Sequence, residues 1–179
     1  MKIFGIDPGS ERTGYGCVER LGSRHTLVTC GSLSAPAHAA FPDKLKAIHA
    51  GLAALLSRHR PDCMAVENIF YARNVRSALK LGHARGVVLL AASEAGVPVV
   101  EYAPAEIKRA VVGYGRAEKH QVQQMIKLLL GLEAAPAPHD VADALAVALC
   151  HLHSVPGRMP GGVRVPPGPR SWRAYRPGS

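Results

Sequence analysis

The chain has 179 residues, enough for one domain with a core of its own and too few for two of ordinary size. Hydrophobic residues make up 47% and charged residues 20%, so most of the chain is expected to fold, and no apolar run reaches the ~20 residues that span a bilayer. Lysine and arginine number 22 against 13 acids, a net charge of +9 that favours a polyanionic partner such as nucleic acid and argues against a membrane-embedded role.

In chain order, Lys2 to Ile6 is apolar and β-prone, and a turn follows at Pro8-Gly9-Ser10. Thr13 to Glu19 and Thr26 to Leu33 continue with glycine punctuation, so the opening segment predicts an antiparallel meander. Phe41 to Arg58 carries leucine, isoleucine and alanine at helical spacing, opening near Pro42-Asp43 and stopping before Pro61. Cys63-Met64-Ala65-Val66 is a short apolar run ending in Glu67, the pattern of a buried parallel strand. Asn74 to Ala95 is helical and closed by Gly96, and Pro98 to Tyr102 is another short strand. Helices over Pro104 to Val112, Glu118 to Leu130 and about Asp140 to His153 complete a body of residues 1–154. Three strands followed by alternating helix and strand describe an α/β domain, a mixed sheet covered by helices on both faces.

Residues 155–179 differ in kind. They are rich in proline, glycine and arginine (Arg158, Arg164, Arg170, Arg173, Arg176), hold no acid and lack hydrophobic periodicity, so a disordered tail is expected. That tail carries +5, leaving 17 basic residues and all 13 acids, a net +4, on the body. A loose arm on DNA phosphates, with Trp172 and Tyr175 stacking on bases, accounts for its composition; so does a solvated appendage. The N-terminal apolar stretch after Lys2 is cut short by Asp7 and shows no signal-peptide pattern, and Cys17, Cys30, Cys63 and Cys150 form no C-x-x-C pair. A cytoplasmic protein with reduced core cysteines is the expectation.

The acids are few enough to weigh one by one. Glu11, Glu19, Asp43, Asp62, Glu94, Glu106, Glu118 and Glu133 lie in turns, at helix starts or among polar neighbours, where carboxylates are ordinary, and Glu101 ends a strand and stays ambiguous. Asp7 directly follows an apolar strand and precedes Pro-Gly-Ser, and burying its charge without a partner is expensive. Glu67 repeats the arrangement. If the two strands are parallel neighbours, both carboxylates emerge at the sheet edge where open α/β sheets bind ligands, although each alone could cap a helix or pair with an arginine. Asp140 and Asp143 are three apart and share a helix face near its start. A helix N-cap explains that spacing too, but the apolar continuation Ala144 to Leu149 implies a helix buried on the sheet, with Asp143 facing inward. Four converging carboxylates repel one another unless cations hold them, and hard oxygen ligands suit Mg²⁺ or Mn²⁺. Two such ions can support phosphodiester hydrolysis, so on a basic protein the set implies a nuclease.

Four segments together, GIDPGSERTGYG at 5–16, VENIFYARNVRSALKLGHARG at 66–86, VVGYGRAEKHQVQQM at 111–125 and HDVADALAVALCH at 139–151, closely resemble the RuvC family of bacterial Holliday-junction resolvases. The resemblance is collinear over nearly all of residues 1–154 and implies an RNase H-like mixed five-stranded sheet. It also implies a homodimer that makes paired, symmetric nicks in a four-way DNA junction during homologous recombination and DNA repair. It places Asp7, Glu67, Asp140 and Asp143 as ligands of Mg²⁺ or Mn²⁺, two ions per site. Because some relatives carry histidine at the place of Asp140 and His139 stands beside it, local register decides which side chain meets metal; exposure is the expectation for His139. Lys108 and Lys119 match the family's basic residues near the scissile phosphate, flanking a Gly113-Tyr114-Gly115 bend, while solvated helix positions would look similar. Phe70 matches the family's wedge aromatic, with Tyr71 beside it, and either could instead pack under its loop.

Arg73, Arg76, Lys80 and Arg85, at or on the long helix, could track DNA phosphates. Ala78, Leu81, Gly82 and Gly86 suit the dimer helix implied by the family and equally suit packing within one subunit. His151 and His153, two apart on a helix, point in different directions, and no structural metal is expected. Contact with the RuvA and RuvB branch-migration proteins is a family expectation, and no membrane association is expected. Three other readings remain. An actin-like nucleotide-binding protein would explain GIDPGS but needs a second domain. A noncatalytic junction binder leaves the buried acids unexplained, and another RNase H-like nuclease lacks the Lys108–Lys119 segment.

Overall fold

The computed structural model describes residues 1–68 and 74–155. Strands β1 (Lys2–Asp7), β2 (Arg12–Leu21) and β3 (Arg24–Ser34) form the antiparallel meander, and α1 (Phe41–His59) leads to β4 (Cys63–Glu67). Helix α2 (Val75–Glu94), β5 (Val99–Tyr102), α3 (Pro104–Val112), α4 (Lys119–Leu130) and α5 (His139–Ser154) follow. The five strands lie in the order β3-β2-β1-β4-β5, with β1 antiparallel to β2 and parallel to β4, and β4 parallel to β5. This mixed α/β sheet is the expected one, and β1 is its middle strand.

Strand alternation sends successive side chains to opposite faces. Ile3, Cys63 and Ala65 pack with α3, α4 and α5, whereas Phe4, Ile6, Met64 and Val66 pack with α1 and α2. Asp7 and Glu67 continue the odd-numbered rows of β1 and β4, so both belong to the α5 face. That face is unusually close-set. A Cβ on Gly5 would lie 2.0 Å from the Ala144 main-chain oxygen, and one on Gly14 would lie 2.1 Å from that of Asp140. Glycine at these two positions lets the α5 backbone rest directly on β1 and β2, and α5 is apolar enough to be buried there: from Val141 to Leu152 every residue is buried except Asp143.

The elements end where local chemistry stops them. The Asn74 side chain accepts from Ser77 N–H at 2.9 Å to cap α2. Glycines in left-handed conformation close α3 at Gly113 (φ 96°) and α4 at Gly131 (φ 61°). The β2–β3 hairpin runs further than the sequence pattern predicts, because Arg20, Leu21, Arg24 and His25 at its tip lack the apolar alternation that marks a strand. Helix α5 starts at His139, one residue early, with Pro138 at the N-cap and no side-chain cap. Asp140 therefore does not cap the helix; it sits in the first turn. All four cysteines are free, with Cys17, Cys63 and Cys150 buried and Cys30 only half-buried, a departure from the expected core position.

Candidate active site

The turn after β1 is fixed before any acid is considered. Pro8 is buried, and the fully buried Thr13 donates its hydroxyl to the Gly9 carbonyl at 3.1 Å while accepting from Gly9 N–H at 3.4 Å. Glu11 on the same turn is ion-paired to Lys44 of α1. Asp7 is thereby held at the end of β1, opposite Gly14 in the β1–β2 register. The β1–β4 register ends at Ile6 and Val66, so Glu67 emerges from the adjoining strand end. Asp140 reaches the same place from above, since its backbone occupies the space a side chain on Gly14 would fill. Asp143, one turn on, lines a small open pocket with Glu67, Lys108, Lys119 and the apolar Ile107 and Val122.

The carboxylates share one electrostatic field. Burial raises the Asp7 pKa from 3.8 to about 7, the charges of Asp143, Glu67 and Asp140 add to the rise, and Lys119 opposes it. Burial and then Asp143 push Glu67 upward, against Lys119 and Lys108. Lys119 Nζ lies 3.4 Å from Asp143 Oδ2, with its side chain 67% exposed, so it stands at the pocket rim as a solvent-facing counter-charge. Among the described residues no three acidic, histidine or cysteine side chains are gathered at the spacing of a closed metal site. The donor set nonetheless fits divalent cations: its members are hard oxygens, and burial together with the neighbouring carboxylates penalises the charged form of Asp7, a cost that cations would relieve.

Six of the residues singled out from the sequence, Asp7, Glu67, Asp140, Asp143, Lys108 and Lys119, thus come together at one end of the sheet. His139 is exposed on the first turn of α5. Phe70, Tyr71 and Arg73, and the tail from Pro156 onward, lie outside the described residues. Arg76 is exposed at the start of α2, and Lys80 is half-buried with its ammonium 5.6 Å from the Phe41 ring centroid. Arg85 is not available as a phosphate contact: it turns inward to the Glu67 carbonyl and Glu101. Thr13 and Gly14 were not singled out from the sequence. The signal for both was present in Thr-Gly directly after the turn, where a buried hydroxyl and a missing Cβ serve the approach of α5.

The family model described as crossover junction endodeoxyribonuclease RuvC matches residues 3–151. The chain belongs to the RuvC family. A RuvC of Heliobacterium modesticaldum is 52% identical over 155 residues, covering 87% of this chain and 96% of its own. That of Trichlorobacter lovleyi is 49% identical over 180 residues, covering 99% and 100%. Among solved structures, T. thermophilus RuvC in complex with a Holliday junction substrate superposes with a TM-score of 0.82 at 39% identity, over 86% of this chain and 94% of that one. The RuvC match takes in all four carboxylates and both lysines.

Proposed function

We infer that the chain is a Holliday-junction-resolving endonuclease, a crossover junction endodeoxyribonuclease acting in recombination and repair by divalent-metal-dependent hydrolysis. The observation that carries this reading is the convergence of four carboxylates from β1, β4 and α5, where burial raises Asp7 to about 7 and the charges of Asp143, Glu67 and Asp140 add to the rise. Asp7, Glu67, Asp140 and Asp143 would hold two Mg²⁺ or Mn²⁺ ions. Bound there, the ions supply activation of water and stabilisation of the leaving oxygen. The four carboxylates fix where the scissile phosphate sits, and Lys119, moving off Asp143, together with Lys108 neutralises its non-bridging oxygens. In-line attack leaves a 5′-phosphate and a 3′-hydroxyl.

The working unit is a homodimer whose dyad matches that of the junction. An exposed stripe on α2 supports it: Val75, Leu79 and Leu90 are 76%, 59% and 52% exposed, and Gly82 and Gly86 between them face open space. The nuclease domain is residues 1–154, and 155–179 is a separate basic tail. Phe70 and Tyr71 would wedge or stack at the crossover, with Arg73, Arg76 and Lys80 along the phosphates, and RuvA and RuvB are the expected partners. No helix among the described residues is long and apolar enough to cross a membrane, and a cytoplasmic location is proposed.

The test offers a mobile four-way junction, a linear duplex and an RNA–DNA hybrid with Mg²⁺, Mn²⁺ or chelator. Symmetric nicks confined to the junction and abolished by chelator are expected. Equal cutting of the linear duplex, or cutting that survives chelation, refutes the reading.

A further inference from the structure

Arg85 is the one cation of α2 drawn under the sheet edge, its side chain only 19% exposed. Its Nη1 donates to the main-chain oxygen of Glu67 at 2.7 Å, and its Nη2, shut off from solvent, lies 2.7 Å from Glu101 Oε1. The second approach is not aligned as a hydrogen bond, so it is a charge contact that holds the guanidinium in place while the first bond does the orienting. The place it grips matters. Pairing with β1 stops at Val66, one residue short of Glu67, and on the other side the sheet ends with Asn68 N–H donating to Tyr102 at 2.8 Å. Glu67 is therefore the last residue of β4, and its carbonyl would without Arg85 be a free strand end.

We propose that Arg85 is a positioning residue for the cleavage reaction, fixing the Glu67 backbone from α2 so that the Glu67 carboxylate meets the other three. The proposal rests on the nuclease reading of the same site. It also joins the helix that carries the exposed apolar stripe to a reacting-site ligand, since one side chain spans α2, β4 and β5. A planar fork is suited to that; a lysine ammonium carries three donors but no rigid plane that fixes the carbonyl and the carboxylate in one geometry.

The experiment compares full-length wild type with Arg85→Ala, Arg85→Lys and Glu101→Gln. Three quantities are read: single-turnover junction cleavage at saturating enzyme, junction affinity in chelator, and the Mg²⁺ concentration giving half of the metal-induced rise in melting temperature. Arg85→Ala is expected to cut ~10–100-fold more slowly, as misplacement of a reacting group does, with affinity within about twofold and the Mg²⁺ midpoint raised about threefold or more. Arg85→Lys is expected to recover part of both losses, and Glu101→Gln to lose less than Arg85→Ala. Wild-type rate and midpoint in Arg85→Ala overturn the proposal. So does a loss of affinity as large as the loss of rate, which marks a DNA contact, or a slower rate with an unchanged midpoint. If Arg85→Ala does not fold, a wild-type midpoint in both Arg85→Lys and Glu101→Gln overturns it. Should the wild type fail to cut junctions, the nuclease reading falls, while the Mg²⁺ midpoints still decide whether Arg85 positions Glu67.

Discussion

Replacing Asp7 with asparagine removes charge from a place where charge is costly, and the metal-free protein should become more stable for it. The folded protein holds this carboxyl at about 7 against 3.8 for the free group. Between those values the folded state binds a proton that the unfolded state has lost, so stability falls as pH rises and the cost is complete above pH 7. At ~1.4 kcal/mol per pH unit this is at most about 4 kcal/mol. Relaxation of the exposed Lys119 and entry of water at the open pocket reduce it to an expected ~1–3 kcal/mol, or roughly 2–10 °C in melting temperature for a domain of this size. The assay is thermal or urea unfolding of wild type and Asp7→Asn in chelator at pH 8 and at pH 4.5. A gain at pH 8 that shrinks toward pH 4.5 is expected, and Mg²⁺ should raise the wild type more than the variant. A variant no more stable than wild type at pH 8, or one whose gain is the same at both pH values, refutes the idea that crowded carboxylates dominate this end of the sheet.

Three further outcomes follow from the same geometry. Gly5→Ala should cost about 3 kcal/mol or more in urea unfolding, because its Cβ meets the α5 backbone, whereas Gly82→Ala, facing open space, should not destabilise the domain. Lys119→Ala should slow junction cleavage on the order of 100-fold while weakening junction binding less than tenfold, measured by single-turnover kinetics and gel shift. Leu79→Glu should leave the circular dichroism spectrum unchanged, shift the protein to a monomer in light scattering and uncouple the paired nicks, since it places charge in the exposed α2 stripe.

The order and type of the elements were legible because each carries a strong period: apolar runs in β1 and β4, helical spacing in α1 to α5. The hairpin tip was not, since the half-buried residues there, Arg20 and His25, are polar and leave no apolar period to read. Arg85 shows a different limit. Spacing along α2 grouped it with Arg76 and Lys80 as a surface cation, but only the position of β4 and β5 beside α2 shows that its guanidinium has a carbonyl and a carboxylate to meet. The N-cap alternative for Asp140 could not be set aside from sequence for a related reason: a carboxylate at a helix start is the ordinary N-cap, and nothing in the local pattern says that Pro138 takes that position.

The acids could be found from sequence because their burial has no local explanation. Asp143 interrupts an otherwise buried run from Val141 to Leu152, and a charged residue in such a run persists only where the fold leaves it an opening. The opening comes from the glycines beneath α5, which bring its first turn over the end of β1. That turn presents unpaired main-chain N–H groups and the positive end of the helix dipole, a partial offset to the clustered negative charge. Both Asp140 and Asp143 lie within reach of that offset, and Asp7 and Glu67 do not project from a helix start at all. Burial first, and then the neighbouring carboxylates, raise the two strand acids Asp7 and Glu67, so cations entering the site gain by relieving them. Lys119 on Asp143 marks the rim from which such positive charge is exchanged.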